Sequence, residues 1–210
     1  MPHDEYGTGQ RKTEVWKDKM KLIFIDVETT GLGFPESGLV QLAGLVEIDG
    51  EVKASFDYRI RPFPQDVITD QALALNRITR DELAQYDEPG IVFKEFVELL
   101  STFVDRYDRS DKLHLVAYNA QFDAEHLRAW FEKNGDQYFG SWFFHPPLDV
   151  MGMAAAVLMP RRHTLDNFKL ITVAQALGMA IDEGRIHDAT YDVHLTKEVF
   201  RLLHRQINHL

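Results

Sequence analysis

Apolar residues form a near-continuous run over positions 21–27, rich in β-branched and aromatic side chains. A run of this kind predicts a strand that is covered on both faces. Two further runs, over 39–48 and 52–60, predict strands of their own, and Asp49-Gly50 between them is a strong hairpin signal. The folded part of the chain is therefore expected to start with an antiparallel meander.

Beyond the meander, helical and strand patterns alternate. Strands are predicted over 113–118 and within 143–150, where two prolines interrupt the run. Helices are predicted over 66–75, from a Thr79–Glu82 capping box, and over 92–107, 120–133, 150–158, 164–178 and 189–207. This order predicts an α/β fold, in which a mixed β-sheet is flanked by helices.

The pattern predicts one folded domain over residues 20–210, since a chain of 210 residues can bury a substantial core. Residues 1–19 are polar and are expected to form a flexible tail. An edge-strand extension around Val15 and Trp16 is the alternative for this segment.

The amino-acid composition restricts the classes of protein to which this chain can belong. The sequence has no cysteine, which excludes disulfides and thiolate zinc sites and fits a reducing, cytoplasmic location. No apolar run has membrane-spanning length, and the first residues lack the apolar core of a signal peptide. The net charge of −10 argues against a large basic face that grips long duplex nucleic acid. An acidic protein can still act on nucleic acid where bound metal provides local positive charge.

Several acidic residues lie where the local pattern predicts buried positions. Asp26 and Glu28 end the first predicted strand and share one face, because strand side chains alternate. Asp123 precedes Leu127 and Trp130 on the apolar stripe of its predicted helix, with Asn119 as the expected N-cap. A strand end in solvent and an acid favoured by the helix dipole are the ordinary explanations for each taken alone.

Asp192 repeats this anomaly near the end of the chain. It begins an apolar stripe that continues at Leu195, Val199 and Leu202. Asp188 is a suitable N-cap for this helix, which would leave His187 on the preceding loop beside the acids. Because buried carboxylates repel one another, we expect them to gather around bound cations.

Three motifs, FIDVETTG, YNAQFD and His-x-x-x-x-Asp, together resemble those of the DEDDh group of 3′→5′ exonucleases. This DnaQ-like group includes the proofreading subunit of bacterial replicative polymerase, RNase T and oligoribonuclease. The resemblance extends from about Lys21 to Leu203, and the motifs are most similar to the proofreading subunit. It implies a ribonuclease H-like fold. The sister group has tyrosine four residues before the last acid, where this chain has Asp188.

The resemblance also implies roles for the catalytic set. Asp26 would bridge two Mg²⁺ ions, for which Mn²⁺ can substitute. Glu28 and Asp192 would complete one metal site, and Asp123 would act on the second metal, directly or through water. His187 would be the general base.

Substrate contacts are implied at a further group of positions: Thr29, Thr30, Gly31, Leu32, Gln71, Ala72, Asn76, Asn119, Phe122 and His187. Leu32 would act as a wedge against the terminal base. Gln71, Ala72 and Asn76 depart from the proofreading subunit, which carries a Glu-Ala pair and then a histidine there. The basic cluster at 161–163 is either a phosphate contact or an ordinary solvated loop.

The function expected from these residues is that of a metal-dependent 3′→5′ exonuclease that releases nucleoside 5′-monophosphates from single-stranded DNA. A DNA polymerase or another replication or repair protein is the expected partner, and no membrane is involved. An exoribonuclease with the same chemistry and a non-catalytic nucleic-acid-binding domain are the alternatives.

Overall fold

The computed structural model describes residues 20–185 and 188–207. In this part of the chain, five strands form one mixed sheet. The strands are β1 (Lys21–Thr29), β2 (Leu39–Ile48), β3 (Glu51–Arg59), β4 (His114–Ala117) and β5 (Leu148–Asp149). Their order in the sheet is β3-β2-β1-β4-β5. Strand β1 is antiparallel to β2, β2 is antiparallel to β3, and β4 is parallel to both β1 and β5.

The predicted meander is confirmed. Asp49 and Gly50 have φ angles of 53° and 85°, so both central residues of the hairpin adopt the left-handed region. Two-residue turns of this kind match the twist of the strands that they join. The turn joins β2 to β3, and beyond a register shift between Val46 and Glu47, Gln41 of β2 faces Arg59 of β3. On its other side, Gln41 faces Glu28 of β1.

Helices cover both faces of the sheet and enclose separate apolar cores. The helices are α1 (Asp70–Asn76), α2 (Arg80–Leu83), α3 (Pro89–Phe103), α4 (Ala120–Lys133), α5 (Val150–Val157), α6 (Leu170–Ala176) and α7 (Ala189–Ile207). Helices α3 and α4 pack on the face that includes Ile23, Ile25 and Val27 of β1. Helices α5, α6 and α7 pack on the opposite face, which includes Leu22 and Phe24.

Three predicted helices differ from the observed ones. The helix predicted over 66–75 begins only at Asp70, because Thr69 is extended and caps the helix. The helix predicted over 92–107 ends at Phe103, because Val104 is extended, with φ of −132°. The helix predicted over 164–178 is wrong at its start, since Met159–Thr164 forms a 3₁₀ helix and α6 begins only at Leu170. The Asn167 side chain accepts hydrogen bonds from the Lys169 N–H and the Thr172 hydroxyl, which favours a turn at that point.

Strand β4 is much shorter than β1, and this difference creates the notch in which the candidate site lies. The pairing of β4 with β1 involves only Leu22, Ile23 and Phe24, whereas β1 continues to Thr29. Helix α4 begins at Ala120, directly after β4, and turns back over this end of the sheet. On the β4 side, the carboxyl end of β1 is therefore bordered by a helix, whereas β2 still pairs with it on the other side.

The predicted tail over 1–19 lies outside the described residues. Among those that are described, no helix is both long and apolar enough to cross a membrane.

Candidate active site

Asp26 and Glu28 extend the β1 face that packs against α7. They follow Leu22 and Phe24 in the same alternation, so the apolar face ends in two carboxylates. Both side chains are largely enclosed, and neither forms part of an apolar cluster.

Asp123 reaches the same end of β1 from the other face of the sheet. Its Oδ1 accepts a hydrogen bond of 3.1 Å from the Val27 N–H, and the residue is only 3% exposed. That N–H lies beyond the last residue paired with β4. A carboxylate from α4 therefore replaces the missing strand as the acceptor, which holds Asp123 beside Asp26 and Glu28.

Asn119 precedes α4, but its side chain does not cap the helix, which corrects the expectation of an Asn119 cap. The residue adopts a left-handed conformation, with φ of 67°, and forms no capping hydrogen bond through its side chain. The Asp149 carboxylate instead satisfies the start of α4, because its Oδ1 accepts hydrogen bonds from the backbone N–H groups of Asn119 and Ala120.

Asp149 is a structural residue beside the site that the sequence analysis missed. It also caps its own helix α5, accepting hydrogen bonds from the N–H groups of Met151 and Gly152. Two helix N-termini thus share one carboxylate. The N-cap of α5 was visible in the sequence as an aspartate before an apolar helix, but the contact with α4 depends on tertiary structure.

Asp192 lies in the first turn of α7, as predicted. Asp188 caps the helix, since its Oδ1 accepts a 3.1 Å hydrogen bond from the Tyr191 N–H. Leu195 and Val199 are buried on the same stripe. Leu203 continues this stripe in the core, whereas the predicted Leu202 is only half-buried. His187 lies outside the described residues.

Electrostatic interactions connect the four acids that the sequence analysis grouped. Burial raises the pKa of Asp26 well above its ordinary value, and repulsion from Asp123, Glu28 and Asp192 raises it further. Burial and the charge of Asp192 raise the pKa of Glu28 to about 7, against a smaller lowering effect of Arg59.

The pKa of Asp123, on the opposite side of the notch, is also raised. Burial is the main cause that raises its pKa to about 8, and the charges of Glu28 and Asp149 contribute. The hydrogen bond from Val27 lowers this pKa, but not enough to offset burial. Three remote segments of the chain thus bring like charges together at a site with little solvent.

The donor set fits a hard divalent cation. All four grouped side chains offer carboxylate oxygens, which are the ligands that Mg²⁺ and Mn²⁺ prefer. A cation would also relieve the repulsion that raises their pKa values. Over residues 20–185 and 188–207, no three Asp, Glu or His side chains already form a cluster with metal-site geometry. The suitability of these residues for a divalent cation therefore rests on their carboxylate oxygens and their charge, and not on a preformed coordination geometry.

The end of β1 and the loop after it contain four of the predicted substrate contacts, Thr29, Thr30, Gly31 and Leu32. The Thr29 hydroxyl donates to the Gly31 carbonyl, and the Asn76 side-chain amide donates to the Thr29 carbonyl. Leu32 projects from this loop and is 84% exposed, as a wedge residue would be.

Thr30 is the exception in this loop, because its side chain faces the protein interior. Its hydroxyl donates to the Val67 carbonyl and accepts from the Gly38 N–H, and the residue is fully buried. The structure therefore uses the Thr30 side chain to hold the loop, and we withdraw it as a side-chain contact to substrate.

The remaining predicted contacts lie on two helices. Gln71 is exposed on α1, and the neighbouring Ala72 donates its N–H to the Thr69 cap. Asn119 is exposed at the start of α4. Phe122 is half-buried, with its ring 4.2 Å from that of His126. None of these positions is excluded by its exposure, and their roles stay predictions.

Comparison with known proteins yields a match over most of the chain. The family model RNase T, described as an exonuclease, matches residues 23–200. The chain is 27% identical over 188 residues to ribonuclease T of Baumannia cicadellinicola, a match that covers 85% of this chain and 80% of that protein.

A second relative is much longer than this chain. DNA polymerase III PolC-type of Thermotoga petrophila is 26% identical over 178 residues, which cover 85% of this chain and 11% of the polymerase. The chain thus spans about a tenth of that relative's length.

Among solved structures, the zinc-bound form of E. coli exonuclease I with single-stranded DNA superposes with a TM-score of 0.71. Sequence identity is 21%, and the match covers 90% of this chain and 41% of that one. At this identity the similarity concerns the fold, and it confirms the predicted ribonuclease H-like class.

Proposed function

This chain belongs to the RNase T family of exonucleases, and from that premise we propose that it hydrolyses single-stranded DNA from the 3′ end, releasing nucleoside 5′-monophosphates. The observation that carries the proposal is that Asp26 and Glu28 at the end of β1 meet Asp123 of α4 and Asp192 of α7, where burial and like charge raise the pKa values of Asp26, Glu28 and Asp123. Buried like charges destabilise a fold, so their presence here supports a role in binding cations.

We assign these four carboxylates as ligands of two divalent ions, Mg²⁺ in the first place, with Mn²⁺ able to substitute. When bound, such ions lower the pKa of an attacking water and stabilise charge on the attacking and leaving oxygens. Asp26 has the central place in this assignment, because the other three acids all act on its pKa.

The chain's own residues orient the reaction. The hydrogen bond from Val27 fixes one oxygen of Asp123, which leaves the other oxygen for a ligand. His187 would accept the proton of the attacking water, since an ordinary imidazole is mostly neutral at physiological pH. The assignment of His187 depends on its motif and on its position directly before the Asp188 cap.

Recognition of a 3′ end would come from the loop after β1 and from α4. The exposure of Leu32 supports contact with the terminal base. Thr29, Gly31 and Asn76 form the backbone support of this loop. Phe122, beside Asp123, offers a half-exposed ring for stacking on a base.

The choice of DNA over RNA is the part of the proposal that most needs a test. The PolC-type relative is a DNA polymerase, whereas ribonuclease T is named for RNA. The polymerase relative also supports a replication or repair protein as partner. A cytoplasmic location follows from this role.

The decisive experiment compares matched 5′-labelled DNA and RNA oligonucleotides with free or blocked 3′ ends, in Mg²⁺ or Mn²⁺. We expect stepwise shortening of DNA from a free 3′ end and none from a blocked end. Faster shortening of RNA would favour the exoribonuclease, and no cleavage of either would favour a binding domain. Asp26→Asn should be inactive, and Glu98→Gln, which alters an exposed acid on α3, should cleave normally.

A further inference from the structure

A row of three side chains crosses the sheet from the candidate site to its outer strand. Glu28 on β1 faces Gln41 on β2, and Gln41 faces Arg59 on β3. Directly opposite residues project from the same face of a sheet. At about 4.8 Å per strand, Arg59 lies about 10 Å from Glu28 across the row. Arg59 is thus a cation on the same face of the sheet as Asp26 and Glu28.

Two polar side chains hold the Arg59 guanidinium in place. Gln41 accepts a 3.0 Å hydrogen bond from it, and its amide donates a 2.7 Å hydrogen bond to Asp57 Oδ1. Gln41 is only 3% exposed, so its amide has little freedom to turn. Asp57 lies 3.8 Å from the guanidinium, a weak ion pair. Both Asp57 oxygens have other donors, namely Gln41 and the Thr190 hydroxyl.

The Arg59 side chain remains 47% exposed in spite of these contacts. Guanidinium has five N–H donors in a planar fork, and only some of them face Gln41 and Asp57. The others face solvent at the edge of an acidic site. A planar fork of this kind matches two oxygens of a phosphate.

We propose that Arg59 binds a backbone phosphate of the substrate strand beside the carboxylate cluster, with Gln41 and Asp57 as its positioning residues. This inference rests on the proposed function, because it needs a strand in the site. Bound ions would neutralise the four carboxylates, and a fixed cation about two strands away adds an attraction for a phosphate where the nucleic acid passes β3. The position was missed in the sequence because Arg59 belongs to no motif.

A purely structural role is the competing explanation. The Thr190 hydroxyl donates a 3.2 Å hydrogen bond to Asp57 Oδ2, which links β3 to the first turn of α7 near Asp192. Loss of Arg59 could therefore act through the placement of Asp192. Thr190→Val removes this link and keeps Arg59, so the two roles can be separated.

The test measures binding of a labelled single-stranded DNA to the full chain as KCl rises, in an Asp26→Asn background that prevents cleavage. Each phosphate contact contributes about 0.7 to the slope of log K against log salt for single strands. We expect Arg59→Ala to reduce this slope by about 0.7, and Arg59→Lys to retain it because the charge remains. Lys53→Ala is the matched control, since Lys53 lies on the same strand, is 43% exposed and pairs with Glu51.

Thermal unfolding of each variant verifies that it is folded. Equal slopes for Arg59→Ala and Lys53→Ala would overturn the inference. Cleavage by Arg59→Ala and Thr190→Val is measured separately, with Asp26 retained. The inference would also be overturned if Arg59→Ala lowered kcat as Thr190→Val does, with no change in KM or in salt slope. Absence of binding and of cleavage by the unsubstituted protein would instead count against the proposed function, and the two failures are therefore distinct.

Discussion

The Val27 N–H donates a hydrogen bond of 3.1 Å to Asp123, a residue 96 positions later in the chain. This bond joins the central strand to α4 at the point where β4 has ended. It satisfies a buried backbone donor and orients a buried carboxylate at the same time. Asp123, an acid on an apolar stripe, therefore has a structural role and a proposed catalytic role.

Asp123→Asn and Asp123→Ala should separate these two tasks. The asparagine keeps an oxygen that accepts from Val27, so we expect stability no lower than that of the unsubstituted protein. The alanine leaves the Val27 N–H without its partner and should cost about 1–3 kcal/mol in the free energy of unfolding. Both should lower kcat/KM by at least about 100-fold, since the loss of even supporting groups around metals costs 10–100-fold.

Urea unfolding and oligonucleotide cleavage would measure these effects. Glu125→Gln, on the same helix but half-exposed, is the control and should change neither quantity. If Asp123→Asn cleaved DNA at the normal rate, the assignment of Asp123 would be wrong.

The stability of the metal-free protein should fall as pH rises from about 6.8 to 8.2. The folded-state pKa values of Asp123, about 8, and Glu28, about 7, lie above their ordinary values. The folded state therefore binds protons that the unfolded state has lost, and deprotonation destabilises it. One pKa unit corresponds to 1.36 kcal/mol, so we expect a decline of about 1 kcal/mol per pH unit.

Melting temperatures in EDTA at the two pH values would reveal this decline. The window avoids acid pH because burial lowers the pKa of His114 and His126, which destabilises the folded state only below about 6.5. The decline should be smaller in Asp123→Asn. A melting temperature that rises with pH would contradict the assigned electrostatics.

Divalent ions should reverse the effect of pH. Because Mg²⁺ or Mn²⁺ would bind the folded state at the carboxylates, a concentration of 100 Kd should stabilise it by about 2.7 kcal/mol. We expect the melting temperature at pH 8.2 to rise with Mn²⁺ in the unsubstituted protein and to stay constant in Asp26→Asn. A similar rise in both proteins would mean that the ions bind elsewhere.

Asp149→Ala should affect stability and activity together. It removes the acceptor of backbone N–H groups at the starts of both α4 and α5, so we expect a loss of about 1–3 kcal/mol in unfolding free energy. Asp123 lies in the first turn of α4, and we expect kcat/KM to fall about 10-fold or more through its displacement.

Thr79→Ala removes a cap from α2, away from the site, and is the matched control. It should lower stability by about 1 kcal/mol and leave kcat/KM unchanged. Asp149→Asn retains an acceptor oxygen and should be milder than Asp149→Ala. Equal kcat/KM for Asp149→Ala and Thr79→Ala would show that Asp149 does not position α4.

The ion pair between Lys133 and Asp66 should be the most sensitive contact between α4 and the loop beyond β3. The Lys133 Nζ lies 2.5 Å from Asp66, whose side chain is only 1% exposed, and it also donates to the Ser37 carbonyl. Lys133→Met leaves a buried carboxylate without its cation, which should cost about 3–5 kcal/mol.

Chemical unfolding of three variants would check this value. Adding Asp66→Asn to Lys133→Met should recover part of the loss. Lys94→Met, which removes an exposed lysine paired with Glu98, should change stability by about 0.5 kcal/mol or less. Similar losses of unfolding free energy for Lys94→Met and Lys133→Met would show that burial does not determine how much an ion pair contributes to stability.

The sequence predicted the meander, the α/β order and the positions of the four acids on β1, α4 and α7, because each has a local cause. Alternation placed Asp26 and Glu28 on one face, and the bounds of β2, α4 and α7 match the predicted runs over 39–48, 120–133 and 189–207. Side-chain periodicity is a local property, and it survives folding where apolar burial determines the packing.

Other features depend on contacts between remote residues and could not be predicted. The left-handed Asn119 is stabilised through Asp149, and the Arg59 row exists only in the register of the folded sheet. The Thr30 side chain faces the interior, because its hydroxyl hydrogen-bonds with both the Val67 carbonyl and the Gly38 N–H. None of these partners is close in sequence.

Helices α4 and α7 belong to different apolar cores on opposite sides of the sheet. An intermediate in which only one helical layer had docked would hold at most three of the four acids around β1. Completion of the four-acid group therefore requires both helical layers to be packed on the sheet.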